Sequence, residues 1–175
     1  LVKQSLYRLN MMDPNNPDVV AASMRQALRQ GNLAEAQQQL DKLQQLAPDS
    51  DTYQRAKLML ALTKPEVRQQ LQQARLLATA GRIAEAKAQY DQLLQGKPPT
   101  LDLAVEYWRL VARVPGQEAL ATQKLAALDQ QYPGNVALRM ALARLYFSQQ
   151  NATQGYAMLE KVASDPVGAS QAADL

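Results

Sequence analysis

With 175 residues, 47% of them hydrophobic, the chain is long enough to bury a continuous core. Its net charge of +3 is too small and too dispersed for a nucleic-acid binder. It contains no cysteine and no histidine, which excludes disulfides, thiol catalysis, thiolate metal sites and the commonest acid–base group. No run of about 18 apolar residues occurs, so no membrane-spanning helix is expected.

Residues 1–12 form the first expected helix, with Val2, Leu6, Leu9 and Met12 on one face and Pro14 closing the segment. Asn16, Pro17 and Asp18 start the next: a cap, a proline in the first turn and an early acid. That helix runs to about Gln30, Gly31 turns the chain, and a second helix returns as far as Pro48. Asp49-Ser50-Asp51 offers a cap to a helix from Tyr53 to Leu62. Pro65-Glu66 then starts a fresh helix reaching Ala80, and Gly81 to Pro98 returns. After the break at Pro98-Pro99-Thr100, Ala104 to Val114 and Gly116 to Pro133 make another pair. Asn135 caps a helix to about Gln150, and Gln154 to Ser164 is its partner. Strand signals are almost absent, because no apolar run alternates with period two.

The returning helices share a pattern. Gly31, Ala36, Leu40, Leu43 and Pro48 recur at the same offsets as Gly81, Ala86, Tyr90, Leu93 and Pro98, and again as Gly116, Ala121, Leu125, Leu128 and Pro133. Glycine turns the chain, alanine admits close helix approach, the two larger residues form a core stripe, and proline stops the helix. In the last pair Gln150-Asn151 replaces the glycine and Gly155 the alanine. The expected fold is all-α: a tetratricopeptide repeat solenoid, wound as a right-handed superhelix, interrupted by one unpaired helix. Pro48 and Pro98 are 50 residues apart, one 34-residue period plus 16, which is the length of that insertion. Between Pro98 and Pro133 the period is 35, so the register around Trp108 is open by one residue. The expected organisation is a half repeat and a full repeat over 1–50, an inserted helix and candidate hinge over 51–64, three repeats over 65–167, and a tail over 168–175. Because the chain opens on a second helix without its first, a piece of a longer array is expected; the alternative is a natural capping helix.

No phosphate loop, carboxylate pair or nucleophile elbow stands out, and Glu85 and Glu106 read as ordinary solvated acids. No catalytic, cofactor-binding or metal-ligating residue is therefore expected, and the work is binding or spacing. In such arrays the first helices line the concave face. Counting each repeat so that its glycine is fifteenth, the ninth positions are Arg25, Arg75, Leu110 and Arg144. Leu28 and Phe147 fall at the twelfth position, Leu71 and Met140 at the fifth. These residues make a candidate binding stripe of planar donors beside apolar surface. The alternative is that the arginines only solvate a helix face or pair with local acids. Tyr107 and Trp108 form a candidate stacking platform for glucan, although helical spacing also suits Trp108 to the core. The lysine and asparagine of a carboxylate clamp are missing from the ninth positions.

Ser5-Leu-Tyr-Arg-Leu9, Asp13 to Val20, Leu28 to Gly31, Gln39 to Leu43 and Ala104 to Trp108 together resemble the cellulose synthase operon protein C family. That resemblance implies a periplasmic repeat region ahead of an outer-membrane β-barrel lying outside this chain. It also implies protein partners in the cellulose synthase complex, and a scaffold that bridges the synthase to the export pore. Two alternatives stand beside the scaffold: a carbohydrate-binding module guiding nascent cellulose or another glucan, and a peptide-binding adaptor. No nucleic acid and no cofactor is implied.

Overall fold

The computed structural model describes residues 2–164, apart from the side chains of residues 2, 3, 6, 9 and 10. The described residues form ten helices and no strand: α1 (Val2–Met12), α2 (Pro17–Arg29), α3 (Leu33–Leu46), α4 (Asp51–Ala61), α5 (Pro65–Thr79), α6 (Ile83–Leu94), α7 (Leu101–Val111), α8 (Glu118–Gln131), α9 (Val136–Ser148) and α10 (Ala152–Ala163). The all-α tetratricopeptide architecture expected from the repeats is the one observed.

Local chemistry fixes the helix ends. Asn16, Ser50, Thr100 and Asn135 each accept a hydrogen bond from a backbone N–H of the first turn. Thr100 thereby starts α7 at Leu101, three residues before the expected Ala104. The hairpin turns follow one scheme. At Gly31 (φ 72°) and Gly81 (φ 80°) the chain enters the left-handed region. The next residue's N–H then reaches back five positions, Asn32 to Ala27 O and Arg82 to Leu77 O, each 2.9 Å. The last hairpin makes the same bond, Asn151 N to Tyr146 O at 2.8 Å, but a glutamine (Gln150, φ 60°) occupies the strained position.

The chain divides into two compact units, Leu1–Gln73 with Asp91–Pro99, and Ala74–Tyr90 with Thr100–Leu175. In the first, Val20, Met24, Ala27, Ala36, Leu40 and Leu43 pack together, and Tyr53, Ala56 and Leu60 of α4 complete the same core. The inserted helix is thus packed against both α2 and α3. Of the expected α1 face, Met12 is exposed, whereas Val2, Leu6 and Leu9 lie outside the described side chains.

In the second unit, Val105, Leu125, Leu138, Ala141, Leu142 and Met158 form the main cluster, joined by Val111, Ala112 and Ala121 through the shared neighbours Trp108 and Leu145. The repeat alanines Ala36, Ala86 and Ala121 are all 0% exposed, as close helix approach demands. Two slots differ from expectation. Leu94 rather than Leu93 is the fully buried residue of α6, which ends early because Gln95 and Gly96 both take positive φ. Gly155 replaces the repeat alanine because a Cβ there would lie 2.8 Å from the ring of Phe147.

Candidate binding groove

The most developed polar feature of the second unit starts from a departure in the repeat. Where Leu40 and Leu125 fill the core slot, α6 carries Tyr90, which is 2% exposed. A buried tyrosine needs a partner for its hydroxyl. It finds one in Glu106 of α7, donating to Oε1. Arg75 of α5 grips the same carboxylate with two parallel bonds, Nε to Oε1 at 2.7 Å and Nη2 to Oε2 at 2.9 Å. Arg109 lies one turn beyond Glu106 on α7, and Arg113 follows that helix. Arg113 Nη1 donates to the carbonyl of Ala78 at 3.0 Å, satisfying one of the terminal acceptors of α5. These side chains and Leu110 line an open groove of about 270 Å³.

Glu106 is therefore no ordinary solvated acid. Burial pushes its carboxyl up, but the hydrogen bonds from Arg75 and Tyr90, with the charges of Arg75 and Arg109, outweigh that and hold it below the usual value. Tyr90 is shifted strongly upward, first by burial and then by the carboxylate it donates to. Arg75 is raised chiefly by its hydrogen bond to Glu106. Because the carboxyl is lowered on folding, the stability it confers is complete above its unfolded value of 4.5 and lost as pH falls through the lower folded value. Melting the protein beside Glu106→Gln should show a clear deficit for the variant near neutral pH that shrinks in strong acid. A deficit unchanged by acid would separate the stabilisation from the carboxylate's charge. Glu85, by contrast, remains a surface residue, paired with exposed Arg82 just before its own helix.

The proposed stripe residues are distributed over both units. Arg25 is exposed on α2, and Leu28 is half-buried against the first unit's core. Leu71 is buried. Arg75 is in the groove; Arg144 is exposed on α9 and is not among the groove's lining residues. Met140 and Phe147 are half-buried, and Phe147 packs edge-on against Tyr156 at 5.1 Å between centroids, toward α10. Tyr107 and Trp108 pack edge-to-face at 5.0 Å. Trp108 also joins both core clusters, with the Lys124 ammonium 5.9 Å from its ring centroid.

Leu110, the ninth position by simple counting, is 4% exposed and packs inward. Arg109 takes its place on the open surface. The extra residue of the 35-residue period lies in the turn after α7, so the signal that could have found Arg109 was that irregular spacing. Nothing in the spacing pointed to Tyr90 or Glu106 as partners.

The first unit has a wider cleft of about 400 Å³, lined by Asp49, Gln54, Lys57, Leu58, Leu94 and Lys97 among others. At its rim Lys97 and Asp51 form an exposed ion pair at 2.5 Å, a geometry that contributes little. Among the described residues no group of three or more carboxylates could hold a metal, and no helix is long and apolar enough to cross a membrane.

Paired helices joined by left-handed turns, with alanine and leucine at repeating interior positions, define a tetratricopeptide-type repeat protein bearing a basic groove. No protein-family model matches the chain. It is 49% identical over 168 residues to cellulose synthase operon protein C of Escherichia coli, an alignment covering 96% of this chain and 14% of the relative. Against the Salmonella typhimurium protein of the same name it is 47% identical over 172 residues, covering 98% of this chain and 15% of the relative. A crystal structure of the flexible tandem repeat domain of the corresponding bacterial cellulose synthase component superposes with a TM-score of 0.76 at 51% identity, over 99% of this chain and 71% of that one. The chain belongs to the cellulose synthase operon protein C family, within its tandem repeat region.

Proposed function

We propose that the chain is a non-catalytic, protein-binding scaffold of the bacterial cellulose synthesis and export machinery. It acts in the periplasm, where it bridges the synthase to an outer-membrane pore formed outside this chain. The observation that carries the reading is the match to cellulose synthase components in repeat sequence and in fold, joined to surfaces built for contact. Helix-hairpin arrays stack into extended surfaces and suit a spacer better than an enzyme. The test is calorimetric titration of the chain with the soluble, periplasm-facing portions of the other synthase components, and separately with cello-oligosaccharides. Saturable binding to a synthase component is the expected result. Binding to cello-oligosaccharides alone would replace the scaffold with a glucan-guiding module.

A further inference from the structure

We infer that the Arg75–Arg109–Arg113 groove is a docking site for an acidic peptide segment of a partner protein, with Glu106 and Tyr90 as positioning residues. This rests on the scaffold reading above and names the chemistry of one contact within it.

The groove collects three guanidinium groups against one carboxylate, so its net charge is positive. Two of the three are held in place rather than left free to solvate themselves. Glu106 takes the Nε and one Nη2 proton of Arg75, which leaves the Nη1 amine and the other Nη2 proton to serve a ligand. Arg113 spends one Nη1 proton on the Ala78 carbonyl and keeps the rest. Fixing long cationic side chains before a ligand arrives removes part of the ordering cost of binding. Planar guanidiniums match carboxylates two bonds at a time, which a lysine groove would not do.

Tyr90 explains why Glu106 stays in position. Its buried hydroxyl anchors the carboxylate from the core side while Arg75 holds it from the solvent side. An isolated acid at the surface would be a competitor for the arginines; one clamped from behind is a strut. A neutral glucan would need an uncovered aromatic face, yet the nearest aromatics, Tyr107 and Trp108, are half-buried and pack edge-to-face against each other. The walls of the groove are mainly polar, with Leu110 buried at its side, so an apolar helix is a poor occupant.

The experiment titrates isotope-labelled chain with acetyl-hexaglutamate amide, acetyl-hexaglutamine amide and inorganic phosphate at matched ionic strength, following the arginine Nε–H signals. The glutamate peptide is expected to shift Arg75, Arg109 and Arg113 saturably, and the glutamine peptide to shift none. Affinity should fall as salt rises from about 0.1 to about 1 M, since the screening length shortens from about 10 to about 3 Å. Arg109→Glu should weaken binding at least about tenfold, whereas Arg25→Glu, in the other unit, should leave it unchanged. Glu106→Gln separates the strut from the competitor: weaker binding supports positioning, and tighter binding overturns that role. Equal shifts with phosphate would mark a general anion site and overturn the peptide assignment. If hexaglutamate fails while the chain still binds a synthase component, this groove is not the contact and the scaffold reading stands.

Discussion

Leu125→Ala is expected to lower the stability of the second unit by about 2–5 kcal/mol, the range for emptying a fully buried leucine site. Leu125 is 0% exposed and packs among Val105, Leu138, Leu142 and Met158, which come from three other helices. Those neighbours are held by their own helices, so the space left behind cannot close fully and the cavity adds to the lost transfer energy. Leu120 on the same helix is 40% exposed, and Leu120→Ala should change stability by no more than about 0.5 kcal/mol. Trp108 is the chain's one tryptophan and packs against this core, so its fluorescence in a urea titration reports the second unit selectively. Circular dichroism over the same titration follows both units together. An unchanged tryptophan transition in Leu125→Ala would mean that the repeat register placing this residue inside is wrong.

That register was readable in advance because the repeat imposes the same demand at each copy. A helix returning along its partner needs a small residue where the backbones approach, and Ala36, Ala86 and Ala121 all turned out fully enclosed. Even the exception obeys the rule: Phe147 fills the space that a methyl group would need, so the fourth copy carries Gly155. Helix starts were legible at Asn16 and Asn135 because capping is local chemistry, settled within three residues. The early end of α6 was less so, since the paired left-handed residues Gln95 and Gly96 precede the proline that marked the stop.

The polar contacts were not legible, for a different reason. Arg75 and Glu106 are 31 positions apart, and Gln149 donates to Thr122 at 2.7 Å across 27. Whether two such side chains meet depends on helix rotation and on residues between them, which a periodic pattern leaves free. One residue inserted after α7 was enough to exchange Leu110 for Arg109 on the open face. A departure from the repeat, such as tyrosine at Leu40's slot, is nevertheless a usable signal: a hydroxyl in the core implies an acceptor nearby.

Arg139→Met is expected to destabilise the second unit by about 3 kcal/mol, the lower end of the cost of stranding one member of a buried ion pair. Arg139 of α9 donates through Nε to Asp129 of α8 at 3.0 Å, with the two side chains 16% and 11% exposed. It also reaches the carbonyl of Lys161 on α10 at 3.4 Å, so one guanidinium serves three helices. Removing it leaves a carboxylate with little water to solvate it, and that uncompensated charge, more than the lost attraction, is the source of the penalty. The double substitution Asp129→Leu with Arg139→Met should therefore cost less than Arg139→Met alone, because nothing charged is left unpaired. Arg144→Met, on the same helix but exposed, should cost no more than about 0.5 kcal/mol. Tryptophan-detected urea transitions of the wild type, the singles and the double close the cycle. If the double is as damaged as the sum of its singles, the two residues act independently and the pair does not tie α8 to α9.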